Sequence, residues 1–370
     1  MPEYERNYEF KLIKDMSIND CHVHLRSWDD GVKNGLSNYM EQLEKYRTDF
    51  KIKDMNMVCI PYCYDRDVSQ NIMAAILKLE YPQYYVHGGT VYLSQPVNPP
   101  FPEGFAPEEQ LDDLMAIGLD GIKMIETKPN YQKMLGVKLS DPLYDKFFAK
   151  AEKEQISILC HSSDPESSWS LEGLDPKHPE WHYANGTFLT FEEIHKDLES
   201  VLNKYPNLKI TLAHIFFNEN HPEKFVELLE KHPNLTYDIC PHTYMFGVMS
   251  KNVSLWKEIF TKYSDRIMFG TDYCSSSGNI PTIGHDNVYR FLLTDDDFKF
   301  WNGMEAHGLN LNKSDVEKIL YSNFYKAFGE KSKPINKDAL RDYIKKYEKL
   351  MTNKENKEKI FEYFKNNSLI

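Results

Sequence analysis

The sequence predicts an α/β fold, a (β/α)8 barrel with extra C-terminal helices, and two observations predict it. Short apolar runs recur eight times, each followed by a helix or a helix-sized segment. Polar residues able to do chemistry fall at the C-terminal ends of those runs: His22, His24, His161, His214 and Asp272, with Lys123 inside the fourth. In a closed parallel barrel all eight strand ends meet in one ring, so residues far apart in the chain converge on one pocket. An open doubly wound sheet produces similar local patterns but leaves its first and last strands unable to share a site.

The first strand ends in Asn19-Asp20-Cys21-His22-Val23-His24-Leu25. Residues two apart on a strand face the same way, so His22 and His24 offer two imidazoles to one ion. A polar loop from Trp28 to Ser37 precedes a helix through Met40, Leu43 and Tyr46. Met55 to Tyr62 is a continuous apolar run, the pattern of a strand covered on both faces. Tyr81 to Leu93 holds the third strand, and a Pro-rich loop follows as far as Pro102. Pro107 opens a helix through Leu111, Leu114 and Met115 that Gly118 closes, ahead of a strand from Leu119 to Ile125. Asp141-Pro142 starts the next helix, with Leu143, Phe147 and Ala151 on one face, and Ile156 to Cys160 is a strand ending at His161.

Ser162 to Leu189 departs from this rhythm; with Trp169, Trp181 and three prolines it is either a lid over the pocket or a plain surface excursion. Thr190 and Glu193 make a capping box for a helix through Ile194, Leu198 and Val201. Strands follow at Leu208 to Ala213, ending at His214, at Leu235 to Ile239, and at Arg266 to Gly270, which delivers Thr271-Asp272. Helices from Pro222 to Glu230 and around Trp256 to Tyr263 separate them. Ser314 and Glu317 are expected to cap the last core helix, which runs along Val316, Ile319, Leu320 and Phe324 and stops at Gly329. The barrel is assigned to residues 1–330. Residues 331–370 form a two-helix extension, packed on the barrel or on a neighbouring subunit.

Composition narrows the partners. The 370 residues are 41% apolar and 27% charged, with a formal net charge of −12, which argues against sequence-independent nucleic-acid binding. No apolar run approaches the roughly 20 residues of a membrane-spanning helix, and Met1 to Lys14 is too charged for a signal peptide. Six scattered cysteines without a Cys-x-x-Cys pair suit a reducing cytoplasm, with Cys21, Cys160, Cys240 and Cys274 read as small core or pocket-wall residues.

The set Asp20-Cys21-His22-Val23-His24, Gly121-Ile122-Lys123, Cys160-His161, Ala213-His214, Gly270-Thr271-Asp272 and Asn323-Phe324-Tyr325-Lys326-Ala327-Phe328-Gly329 resembles the amidohydrolase superfamily. More narrowly it is similar to the amidohydrolase-2 branch, which includes the aminocarboxymuconate-semialdehyde decarboxylase group, over roughly Ile18 to Gly329. The resemblance implies that His22, His24, His161 and Asp272 bind a divalent metal, most often Zn²⁺, and that His214 stands beside the water the metal activates. Imidazole nitrogens with one carboxylate suit that ion chemically. One ion is expected, or two if Lys123 is carboxylated, in which case Lys123 and His214 also become ligands. Asp272 and His214 are the catalytic candidates, and Arg26, Tyr62 and Trp169 the candidate substrate contacts. Tyr64, His87, Trp181, His242 and Tyr244 are further aromatic candidates for the pocket wall.

The activity so implied is hydrolysis of an amide, lactone or ester of a small, carboxylated substrate by activated water. The alternative is non-oxidative decarboxylation of an aromatic or muconate-type acid, and a third reading is a metal-stabilised binding barrel without turnover. A homodimer is consistent with the branch.

Overall fold

The computed structural model describes residues 11–24, 35–61, 67–92, 101, 103–172, 179–242, 244–274, 287–300 and 303–367. Eight parallel strands make the barrel: β1 (Ile18–His24), β2 (Ile52–Val58), β3 (Tyr85–Gly89), β4 (Gly121–Met124), β5 (Ser157–Cys160), β6 (Ile210–Leu212), β7 (Leu235–Asp238) and β8 (Ile267–Met268). Each lies beside its sequence neighbour in parallel register. Every residue of β1, β3, β4, β5 and β6 is buried, because helices cover the outer face and side chains fill the inner one. That double cover explains continuous apolar runs in place of alternation.

Closure runs through a break in the eighth strand. β8 pairs with β7, Phe269 to Asp272 leave the regular ladder, and β9 (Tyr273–Cys274) resumes against β1, with Val23 opposite Tyr273 and His24 opposite Cys274. Two hydrogen bonds bridge the gap: Cys21 N donates to Phe269 O at 3.1 Å, and Asp272 N donates to His22 O at 2.9 Å. The break therefore sets Asp272 directly beside the histidines of β1.

Between strands run α1 (Gly35–Asp49), α2 (Ser69–Glu80), α3 (Pro107–Ile117), α4 (Pro129–Leu135), α5 (Asp145–Glu154), α6 (Phe191–Lys204), α7 (Pro222–Lys231), α8 (Met245–Met249) and α9 (Val253–Lys262). After β9 come α10 (Asn287–Leu293), the antiparallel hairpin β10 (Asp297–Lys299) and β11 (Glu305–His307), α11 (Lys313–Glu317), α12 (Asn323–Phe328), α13 (Lys337–Tyr347) and α14 (Lys354–Asn366). Local punctuation behaves as its chemistry demands. Gly118 ends α3 at φ 98°, and Thr190 and Glu193 form the reciprocal capping box of α6.

Several expectations need correcting. The last core helix is capped by Asn312, whose side chain accepts from Asp315 N at 2.9 Å, not by Ser314. It is also not one helix, since Lys318–Ser322 forms a wide π turn between α11 and α12. The second strand begins earlier and stops at Val58, short of Tyr62. The short elements α4, β10 and β11 carry too few periods to register in the sequence pattern.

The main apolar layer lies between sheet and helices. A second cluster joins Cys21, Val58, Tyr85, Leu159, Ala213 and Met268 of the barrel to Phe324, Ala327 and Phe328 of α12. The two tail helices pack against α3 and α2 of the same chain. Asp67 accepts from Thr352 N and Asn353 N at 2.6 and 2.8 Å, and Asp113 accepts from Tyr347 Oη at 2.9 Å. Among the described residues no helix is long and apolar enough to cross a membrane.

Candidate metal centre

Three donor atoms meet at the C-terminal end of the barrel. His22 Nε2 and His24 Nε2 are 3.1 Å apart, and Asp272 Oδ1 lies 2.9 Å from His24 Nε2 and 3.5 Å from His22 Nε2. His22 is fully buried and His24 nearly so, whereas the Asp272 side chain is 38% exposed and forms the open edge of the group. Burial by itself would raise the Asp272 carboxyl; the charge and hydrogen bond of His24, with His22 and His214, hold it well below the usual carboxylate range. Asp272 reaches its place only by adopting φ 56° in the break of the eighth strand.

Behind His22 stands a residue that strand counting alone did not single out, Asp238 at the end of β7. Its Oδ2 lies 3.0 Å from His22 Nδ1, and its Oδ1 accepts from His214 N at 2.7 Å and Cys240 N at 3.1 Å. A carboxylate accepts only, so Nδ1 of His22 carries the proton and Nε2 keeps its lone pair on the side of His24 and Asp272, where Lys123 donates to it. Burial opposes ionisation of Asp238, but the His22 hydrogen bond and charge and the His214 backbone amide hold its pKa well below the ordinary value. A signal was available: Asp238 is the one acidic residue inside the run Leu235 to Ile239.

His214 is aimed by an unusual turn. His214, Ile215, Phe216 and Phe217 have φ values of 54°, 49°, 56° and 53°, a conformation that costs a non-glycine residue about 1–2 kcal/mol. Burial of Ile215, Phe216 and Phe217 at 0–2% exposure holds the turn in place. His214 Nδ1 lies 3.1 Å from Cys240 O and donates to it, which leaves Nε2 as the acceptor. Its ring is 5.6 Å from that of His22 and 4.8 Å from that of His161, centre to centre. Burial pushes its pKa down to about 4, against the pull of Asp272 and Asp238, so the imidazole is neutral.

His161 stands beside this group without joining it. Its Nε2 faces Asp164 Oδ1 at 3.7 Å, and Asp164 is itself ion-paired to Lys128 and accepts from Tyr183 Oη at 2.5 Å. Burial first, then the Lys128 charge, keeps His161 uncharged. Lys123 projects from β4 and donates to His22 Nε2 at 2.9 Å; burial lowers the pKa of its amine, while Asp272 and Asp238 oppose that shift.

The other candidates fall in different places. Arg26, Tyr62 and Tyr64 lie outside the described residues. Trp169 donates from Nε1 to Leu189 O at 2.9 Å and packs against Tyr183 and Phe191, anchoring the long loop. Trp181 lies under the Lys128 ammonium at 5.9 Å. His242 packs on Phe217 with its Nε2 3.4 Å from Glu219 Oε2, while Tyr244 is 58% exposed. His87 is not a pocket residue: it is fully buried between Asn56 Oδ1 at 2.7 Å and Ser157 Oγ at 3.2 Å, against Phe328 in the barrel core.

Histidines and an aspartate gathered at the C-terminal ends of barrel strands define the class, an enzyme built on a (β/α)8 scaffold. The amidohydrolase family, in its amidohydrolase-2 form, matches residues 20–329, and the chain belongs to that family, whose members are hydrolases or lyases. Among solved structures, 5-carboxyvanillate decarboxylase from Sphingomonas paucimobilis is similar with a TM-score of 0.53 at 10% identity, over 85% of this chain and 99% of its own. A Staphylococcus aureus structure assigned as an amidohydrolase gives 0.52 at 16%, over 85% and 100%. The Novosphingobium aromaticivorans 5-carboxyvanillate decarboxylase, crystallised with manganese and 4-hydroxy-3-methoxy-5-nitrobenzoic acid, gives 0.51 at 13%, over 85% and 96%. At such identities the likeness is one of fold. No curated protein matches the sequence.

Proposed function

We propose that this chain is a metal-dependent hydrolase that activates water against an amide, lactone or ester carbonyl of a small carboxylated substrate. The observation that carries the reading is the spacing of His22 Nε2, His24 Nε2 and Asp272 Oδ1 at 2.9, 3.1 and 3.5 Å. Tetrahedral bonds of about 2.0–2.1 Å would place donor atoms about 3.3 Å apart, so the three atoms fit around one divalent ion. Two imidazole nitrogens and a carboxylate are the donor chemistry of zinc and of its divalent neighbours. His161 is proposed as the fourth ligand after rotation of its ring away from Asp164.

When bound, such an ion supplies a Lewis acid and lowers the pKa of a coordinated water to about 7. The remaining work belongs to the side chains. Asp272, ionised and partly exposed, takes the proton of the attacking water. His214, neutral and with its Nδ1 proton committed to Cys240 O, presents Nε2 as the group that orients the substrate carbonyl or relays a proton. Asp238 keeps His22 in the tautomer whose Nε2 carries the lone pair, which accepts from Lys123 here and which a bound ion would take in its place.

A second reading, non-oxidative decarboxylation of an aromatic carboxylic acid, is favoured by two of the similar folds being 5-carboxyvanillate decarboxylases. One experiment tests both. The protein is loaded with Zn²⁺ or Mn²⁺ and assayed against lactones, amides, esters and aromatic acids in ¹⁸O-water. Label in the product carboxyl supports hydrolysis; CO₂ release with no label in the organic product replaces it with the second reading. Activity that persists in metal-free protein overturns both.

A further inference from the structure

The strands that carry the candidate metal centre at one end carry a second polar set at the other. On β7, Thr236 stands two residues before Asp238; ahead of and within β6, Lys209 and Thr211 precede Ala213 at the same spacing. Residues two apart on a strand share a face. Ser157, Lys209, Thr211, Thr236, Arg266 and Lys326 line a cavity of about 370 Å³ at the amino-terminal ends of β5 to β8, beside α12.

The charges around this cavity do not balance. Lys209, Arg266 and Lys326 face a single lining carboxylate, Asp265, in a protein whose net charge is −12. Among the described residues neither Lys209 nor Lys326 makes an ion pair or a hydrogen bond through its ammonium. Arg266 is pinned: Nε donates to Leu235 O at 2.6 Å and Nη2 to His232 O at 2.5 Å, while Nη1 makes no hydrogen bond among the described residues. The hydroxyls of Thr211 and Thr236 are 2.9 Å apart on adjacent strands. Lys209 is half-buried, and burial together with the nearby Lys333 depresses its amine. An anion in the cavity beside Lys209 would oppose that shift.

We propose that this cavity is a binding site for a small oxyanion, a phosphate group or a carboxylate, at the floor of the barrel and separate from the metal centre. Two lysines and a preset guanidinium supply charge-assisted hydrogen bonds, and the threonine pair supplies at most one neutral one, since one hydroxyl proton is committed to the other threonine. The volume exceeds that of inorganic phosphate and admits a short organic group attached to it. The proposal is independent of the reaction at the opposite end.

Calorimetric titration and thermal unfolding of the full chain test it, with inorganic phosphate, glycerol phosphate and malonate against chloride at matched ionic strength. At least one of the three is expected to raise Tm saturably by about 1–3 °C. Lys209→Met and Lys326→Met are each expected to weaken binding tenfold or more, while His24→Asn leaves it unchanged. Tighter binding of glycerol phosphate identifies an organic phosphate, tighter binding of inorganic phosphate the free ion, and tighter binding of malonate a carboxylate. Lys326 is exposed, so its variant tests the site even if Lys209→Met does not fold. The proposal is overturned if none of the three binds beyond the chloride control, if both lysine variants bind as the wild type does, or if His24→Asn abolishes binding.

Discussion

Replacing Asp238 with asparagine isolates the link between β7 and the candidate metal centre. The carboxylate accepts three hydrogen bonds, from His22 Nδ1, His214 N and Cys240 N, at 3.0, 2.7 and 3.1 Å. Asparagine keeps the shape and leaves one oxygen for the two backbone amides. Its amide nitrogen then faces His22 Nδ1 and can only donate, so His22 must release that proton and carry it on Nε2 instead. The lone pair that faces His24 and Asp272 is lost in that tautomer. Groups that orient a metal-binding histidine are typically worth 10–100-fold in metal affinity, about 1.4–2.7 kcal/mol. The asparagine variant is therefore expected to bind Zn²⁺ 10–100-fold more weakly in competition with a chelator of known affinity. Circular dichroism should show the barrel intact. Asp238→Ala goes further, leaving three buried donors unpaired and costing several kcal/mol of stability. Unchanged zinc affinity in a folded Asp238→Asn protein would refute the assigned tautomer, and with it the positioning role of Asp238.

His214→Asn should lower kcat by about 10²–10⁴ while metal content, measured by elemental analysis, stays at the wild-type level; loss of metal would make His214 a ligand. His195 is buried between Phe191 and Phe216 with its pKa pushed down to about 3 by burial and the Lys224 and His221 charges. Its folded pKa lies below the unfolded value, so the unfolded chain binds the extra proton and stability falls as pH drops below about 6.5. Between pH 7 and 5 that loss is about 2 kcal/mol, and His195→Phe is expected to remove it in urea titrations at the two pH values. A Cβ on Gly270 would meet Cys240 Sγ at 2.5 Å, Cys21 Sγ at 3.0 Å and His22 Cβ at 3.1 Å. Gly270→Ala should therefore lower Tm and weaken metal binding together, and a variant that loses only one of these would separate the break in the eighth strand from the site.

The sequence by itself determined the strand count, the Thr190–Glu193 start of α6, the Gly118 end of α3, and the histidine pair on β1. These are short-range patterns: the two-residue alternation of a strand places His22 and His24 on one face, and the Thr190–Glu193 box closes within a single turn. The strand ends also marked His161, His214 and Asp272 as convergent, because a closed parallel barrel leaves them nowhere else to point. Only the tertiary structure decided how they meet. Asp238 and His22 are 216 positions apart, and their hydrogen bond exists because closure of the barrel leaves only the eighth strand between β7 and β1. The left-handed run His214 to Phe217 is strained on its own and persists because its side chains are packed. His87 and Trp169 look equally eligible for a pocket in sequence, yet one is bonded to Asn56 and Ser157 in the core and the other to a loop carbonyl. Local periodicity says which face of its own element a side chain occupies. What lies opposite that face is set by closure of the barrel, through the break that brings Asp272 beside β1.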